Sequence, residues 1–415
     1  MPISQSIFIL ACLVATWLMR RTLGTIIPSV FLHLFLGIML GIAVNANIGP
    51  SWLFAATDNA TLEPIGLMGW LGILLLMALG PSDTGDEHAG PASARQTLAL
   101  SVVGFGGTFL CASGMGYLLG VMQPQLQGAA AEPSIFAMAI GLACAVTALP
   151  VLVSLLNERG EDTTPLGRLA IRVAIVDDVW MWLLLIFITS VTTGTGGSPG
   201  VYAAKVLVLV AGSRLLLRPA LNALYTHRPR MSHPNCLALG ISVIISMALL
   251  SEVIGTHALF GAFLAGWNLP SGIARTLRAI LLPVVQTLLV PFFFIIAGLK
   301  TNMSFSAANF IYLALGFTVM GMVLKMVFAA LGARLVGLPW AQAFRLGSLL
   351  QCKGLMEIVA LGIMRDANVI GPEVYSALIV MALTCTALTA PLHSLVVRIN
   401  GRRGRTAPRQ MGPVT

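Results

Sequence analysis

Two carboxylates stand side by side in an apolar run. In Ala174-Ile175-Val176-Asp177-Asp178-Val179-Trp180 the pair falls near the middle of a largely apolar stretch, Leu166 to Val191, which at about 1.5 Å of rise per residue is long enough to cross a bilayer. One Asp at the centre of a membrane helix costs roughly 2.5–3.5 kcal/mol on insertion scales, so something must offset the pair. Adjacent helical positions project about 100° apart, and each side chain therefore needs its own surroundings. Such carboxylates at membrane depth do ion or proton chemistry. The alternative is a pair that caps a helix end or is locked in static ion pairs.

The elements that must hold this pair follow from composition. The chain has 415 residues, 57% hydrophobic and 9% charged, against about 25% charged in an ordinary soluble protein. It reads as an all-α polytopic membrane protein whose first partner is the lipid bilayer. Cys12, Cys111, Cys144, Cys236, Cys352 and Cys385 fall nearly all in apolar runs without metal-ligand spacing, so no disulfide framework, zinc site or other cofactor is expected. The net charge of +9 would suit a nucleic-acid binder, but the basic residues sit at the ends of hydrophobic runs, which is orientation signal. No nucleic-acid partner is expected. Residues 1–19 lack a basic leading region and precede Arg20-Arg21, the pattern of an uncleaved first span.

Hydrophobic runs predict thirteen spans, at 4–19, 25–44, 64–80, 96–120, 133–157, 164–191, 201–217, 236–253, 255–270, 281–300, 308–336, 342–365 and 372–398. The stretch 236–270, interrupted by Glu252, Gly255 and His257, is long for one span and short for two. Charge arbitrates. With thirteen spans and the N-terminus outside, nearly all loop arginines fall on the cytoplasmic side, and merging 236–270 would break that skew. The membrane domain then covers 1–398, and 399–415 is a short basic cytoplasmic tail.

This threading leaves Arg172, Lys325 and Lys353 as the basic residues inside spans, with Asp177, Asp178 and Glu357 as buried acids and Glu252 near a span end. Opposite signs at membrane depth should find each other. Two spans are interrupted. Pro150, in Cys144-Ala145-Val146-Thr147-Ala148-Leu149-Pro150-Val151, breaks the helix pattern, and the chain is expected to loosen around Thr147. The segment Ser348-Leu349-Leu350-Gln351-Cys352-Lys353-Gly354-Leu355-Met356-Glu357 carries a Lys and a Gly at matching depth. One interrupted span in each half points to inverted repeats with a site at the midplane; each alone is equally a plain kink. The acidic loop Pro81 to Ala94 and His227 and His233 read as solvated, and Gly194 to Gly200 as a flexible linker.

Four segments carry a resemblance. TALPVLVSLL (147–156), GRLAIRVAIVDDVWMWLLL (167–185), IGTHALFGAFLAGWNLP (254–270) with PFFFIIAGLKTN (291–302), and KGLMEIVALGIMRDANVIGPEVYSALIVMALTCTALTAPL (353–392) resemble the monovalent cation/proton antiporters, in particular the cation:proton antiporter 2 family of cation/H+ exchangers and bacterial Na+/H+ antiporters. The resemblance implies the Na+/H+ antiporter-like fold: two inverted repeats, two interrupted and crossing helices, a core bundle at 96–191 and 308–398, and a scaffold that forms a homodimer. It implies that Asp178 is the essential carboxylate shared by cation and proton, and that the Asp177-Asp178 form goes with electrogenic exchange. Lys325 would pair with Asp177 when no cation is bound. Thr147 would lie at the crossing, where Lys353 and Glu357 neutralise the helix ends. Two features depart from the family. The end of the third span lacks the acidic residue found in many relatives, and Arg172 stands where relatives usually have a small residue. Arg172 would partner Glu357 or Asp177.

The function these readings converge on is a secondary active transporter, not an enzyme, exchanging Na+ or K+ for protons by alternating access in a bacterial inner membrane. The alternative on the same architecture is a cation channel or an ion-coupled solute symporter, against which the paired acids count. An intramembrane aspartyl protease needs its two Asp on different helices, and the other aspartates fall in loops or at span ends. A non-transporting scaffold or sensor would show no cation-dependent proton movement.

Overall fold

The computed structural model describes residues 9–15, 17–18, 21, 29–46, 48, 59–80, 91–193, 199–227, 231–299 and 308–405. These residues are almost entirely helical, and seven of the helices are long and apolar enough to cross a membrane. Helix α1 is Ser29–Asn45 and α2 is Asn59–Leu79. Helix α3 begins as Pro91–Ser101, passes through a π-helical turn at Val102–Gly106 and continues as Gly107–Met122. The interrupted pass is α4, Pro133–Ala145, and α5, Leu149–Arg159. Helix α6, Pro165–Thr193, carries the Asp pair. Helix α7 runs Pro199–Gly212, a π turn at Ser213–Leu217, and Arg218–His227. Then come α8, His233–Ile254, and α9, Ala258–Asn268. Helix α10 is Ser271–Val284, a π turn at Val285–Leu289, and Val290–Leu299. The last pieces are α11, Ala308–Leu335; α12, Trp340–Leu350; α13, Leu355–Asp366; and α14, Pro372–Arg405.

The order is that of the expected spans, with differences of extent, among them α7, which continues ten residues past the expected 201–217 to His227. The expected span 255–270 contracts to α9, because Gly255 and His257 both take positive φ and form the α8–α9 turn, while the Glu252 carboxylate accepts the Ala258 N–H at 2.8 Å at the start of α9. The expected span at 281–300 begins ten residues earlier. Arg275 and Arg278 gave 271–280 a loop-like look, but Ile273, Ala274 and Leu277 line one buried face of a helix there while Arg275 is exposed. Helix α14 continues beyond 398 to Arg405, so the first part of the basic tail is helical. Of the acidic loop expected at Pro81 to Ala94, residues 81–90 lie outside the described residues and 91–94 belong to the start of α3; most of the Gly194 to Gly200 linker also lies outside the described residues.

Units α3–α6 and α11–α14 repeat one pattern, a long helix, a broken pair of short helices and a long helix, as expected of the two inverted repeats of this fold. Helix α3 packs on α4, α6 and α11, and α11 on α12 and α14; α1 and α2 pack on α10, and α8 on α9. The approach of α1 to α10 is close enough that a Cβ at Gly37 would stand 2.2 Å from the Ile295 carbonyl oxygen. The two inverted units are stitched at one end by backbone. Gly128 N–H donates to the Val369 carbonyl, Ala130 N–H to that of Asn368, and Gly371 N–H to that of Leu126, each at 3.1 Å. At the other end side chains make the tie: Arg345 of α12 lies 3.3 Å from Glu161, and His393 of α14 lies 3.4 Å from Glu161 and 2.9 Å from the Ser348 hydroxyl.

Candidate functional site

A helix that stops inside a membrane leaves its last four carbonyls without partners, and its C-terminal end carries partial negative charge. Helix α4 stops at Ala145, Val146 turns extended, and two lysines supply the missing donors. Lys353 Nζ donates to the carbonyls of Ala143 (2.6 Å), Cys144 (2.7 Å) and Val146 (3.2 Å). Lys325 Nζ donates to that of Ala145 at 2.5 Å. Opposite, α12 ends at Leu350, and the chain crosses through Gln351 to Gly354 before α13 begins. The two breaks bond to each other, Ala148 N–H donating to the Cys352 carbonyl at 2.9 Å. Gly354 also lies close to the other break, since a Cβ there would meet Val151 Cγ2 at 2.9 Å. Glu357, in the first turn of α13, lies 4.0 Å from Lys353, an acid at a helix start and a base at a helix end, as the dipoles favour.

The Asp pair of α6 meets this crossing, and its two members have opposite surroundings. Asp177 has a partner on each oxygen: Ser101 donates to Oδ1 at 2.5 Å, and Oδ2 faces Lys325 Nζ at 2.8 Å and Thr147 Oγ1 at 3.0 Å. Thr147 Oγ1 is also 2.8 Å from the Leu350 carbonyl; with one proton for two acceptors, it donates to one at a time. Asp178 is 0% exposed, and neither of its oxygens has a hydrogen-bond partner among the described residues. Three carboxylates and two ammoniums, Asp177, Asp178, Glu357, Lys325 and Lys353, are thus each at most 1% exposed. Fully ionised, they sum to a formal charge of −1.

Sequence reasoning named most of these groups, and the structure brings Asp177, Asp178, Thr147, Lys325, Lys353 and Glu357 together. Arg172, expected on Asp177 or Glu357, is half-buried earlier on α6; Asp177 pairs with Lys325 and Glu357 with Lys353. Three neighbours were missed. Ser101 and Phe105 come from α3, the Phe105 ring centroid 5.4 Å from Lys325 Nζ. Thr386 of α14 accepts from the Lys353 N–H at 3.1 Å and bonds back to its carbonyl. A lone hydroxyl or ring in an apolar run carries no sequence signal of its own. Among the described residues no group of three or more His, Cys, Asp or Glu could hold a metal ion.

Comparison with known proteins places these features in context. The family model described as "Sodium/hydrogen exchanger, transmembrane" matches residues 8–395. Cation/H(+) antiporter 17 of Arabidopsis thaliana is 28% identical over 393 residues, 88% of this chain and 45% of that protein. The Na(+)/H(+) antiporter NhaS4 of Synechocystis is 28% identical over 377 residues, 88% of this chain and 90% of that one. The chain spans about half the length of the plant relatives it matches. Its fold is similar to that of the sodium proton antiporter MjNhaP1 from Methanocaldococcus jannaschii, with a TM-score of 0.68 at 16% identity, covering 95% of this chain and 97% of that one.

Proposed function

Since the chain belongs to the transmembrane sodium/hydrogen exchanger family, we propose that it is a secondary antiporter that exchanges a monovalent cation, Na+ or K+, for protons, with Asp178 as their shared site. One observation carries the reading. Two buried ammoniums against three buried carboxylates leave a deficit of one positive charge; Asp177 pairs with Lys325 and Glu357 faces Lys353, and among the described residues Asp178 has neither a hydrogen-bond donor nor an ion-pair partner. One proton or one monovalent cation makes up that deficit equally well. Both cannot sit on the same oxygens, so each displaces the other, and the competition itself couples their movements.

In this reading Thr147 and Asp177 complete the cation's surroundings, while Lys325, Lys353 and Glu357 balance the helix ends and let a charged site exist at membrane depth. Asp177, released from Lys325 during the cycle, carries a second proton, which makes the exchange electrogenic. Alternating access comes from the core bundle, α3–α6 with α11–α14, moving against the remaining helices. Those helices would form a homodimer. A bacterial inner membrane, with the N-terminus outside and the C-terminus cytoplasmic, fits the skew of the arginines.

The test is proton flux in proteoliposomes on addition of Na+ or K+, with membrane potential recorded. The reading expects cation-dependent flux that carries net charge and is abolished in Asp178→Asn. Flux that persists in the variant would remove Asp178 from the site, and charge-silent flux would remove the second proton. A cation current without proton movement would indicate a channel instead.

A further inference from the structure

Helix α3 packs on the helix that carries the Asp pair, α6. Serine and threonine hydroxyls within helices commonly bond back to a carbonyl one turn earlier, and many do so here. Thr108 donates to the Gly104 carbonyl at 2.6 Å, Thr318 to that of Ala314 at 2.7 Å, and Thr389 to that of Cys385 at 2.8 Å. Ser101 breaks this habit: its fully buried hydroxyl points out of α3 to Asp177 Oδ1, 2.5 Å away on a helix 76 positions later. Four residues on, inside the π-helical turn, Phe105 presents its ring to Lys325. Helix α3 therefore touches both members of the buried ion pair, a hydroxyl on the carboxylate and a ring on the ammonium. π-Helical turns recur at functional sites in other helices. Here the turn lies directly after Ser101, where α3 runs against Ala329 and Phe328 of α11.

We infer that Ser101 is a positioning residue of the transport site: it ties Asp177 Oδ1 to α3, offsets part of that carboxylate's charge, and so keeps Asp178 from holding its cation too tightly. This rests on the antiport reading above and adds to it a residue outside the crossing. The direction follows from electrostatics. A hydroxyl donating to a carboxylate turns the positive end of its dipole toward the site, and deleting it makes the surroundings of Asp178 more negative. A cation is then bound more tightly and released more slowly. The other charged or titratable groups near the ion pair, Asp178 on α6, Cys144 on α4, Cys352 and Lys353 at the crossing and Glu357 on α13, are unchanged by the substitution.

The experiment is cation-dependent proton flux in proteoliposomes at one alkaline pH, comparing wild type, Ser101→Ala and Ser101→Thr over a range of Na+ and K+ concentrations. Hydrogen bonds to charged groups being among the stronger ones, the Ala variant is expected to lower both the KM for the cation and the maximal rate by about three- to tenfold, and Thr, which keeps the hydroxyl, to restore both. A KM unchanged in the Ala variant, whatever happens to the rate, would overturn the inference, because loss of folded protein lowers the rate alone. So would a Thr variant that behaves like Ala. Absence of cation-dependent flux in the wild type would instead overturn the antiport reading, a separate outcome.

Discussion

Replacing Lys353 by Met keeps the length of the side chain and removes its charge. In the folded protein its ammonium is the donor to three carbonyls at the end of α4, those of Ala143, Cys144 and Val146, and it faces Glu357 at 4.0 Å. The substitution leaves those carbonyls buried without that donor, each costing about 1–3 kcal/mol. It also strands Glu357 as a buried acid with no hydrogen-bond partner, and breaking a buried pair from one side costs roughly 3–5 kcal/mol. These contributions overlap, because Glu357 can protonate and α4 can relax, so a total near 4 kcal/mol is the working figure, about a thousandfold in the folding equilibrium. The assay is thermal or denaturant unfolding of purified protein in detergent, as a double-mutant cycle with Glu357→Gln. Lys353→Met should be strongly destabilised, and Lys353→Met/Glu357→Gln should recover a measurable part of the loss, because the stranded charge is gone. An undisturbed Lys353→Met, or strict additivity in the cycle, would refute the claim that Lys353 holds both the end of α4 and Glu357.

Thr147→Val preserves shape but deletes the hydroxyl shared between Asp177 and the Leu350 carbonyl; at about 1–3 kcal/mol for a buried acceptor left bare, cation-dependent flux should fall at least roughly tenfold, with Thr147→Ser retaining most of it. Gly128→Ala puts a Cβ 2.0 Å from the Asn368 carbonyl oxygen, so the backbone stitch between the inverted units must open. A loss of about 1–3 kcal/mol is expected in unfolding experiments, whereas an unchanged Tm would mean that the link from 123 to 132 moves aside freely.

The parts of this site that could be read from the chain were those that violate the rules of a membrane helix. Asp177 and Asp178 are costly in an apolar run, Pro150 interrupts an apolar helix pattern and stands in the first turn of α5, where a proline is tolerated, and Lys353 with Gly354 does not belong in an ordinary span. Each leaves a mark on composition, and together they gave the two broken passes; that the two breaks cross came from the resemblance. The position of Lys325 opposite Asp177 came from resemblance, because no periodicity links positions 148 residues apart. Ser101 left no mark, since one serine in a helix is cheap when it bonds to its own backbone, and only the structure shows that it does not. The start of α10 was hidden for a related reason. Arg275 and Arg278 look like loop residues until Ile273, Ala274 and Leu277 are seen to share a buried face. The short α9 depended on turn geometry at Gly255 and His257, and the positive φ of His257 is not written in its residue type.

The central claim is that a cation and a proton compete for Asp178, and the most direct measurement counts protons rather than turnover. Purified protein in weakly buffered detergent solution is titrated with Na+ or K+ while released protons are followed, for wild type and for Asp178→Asn. Binding at a shared site expels protons in proportion to the cation bound and is absent from the variant. Cation binding without proton release in the wild type, or the same release from Asp178→Asn, would contradict the account.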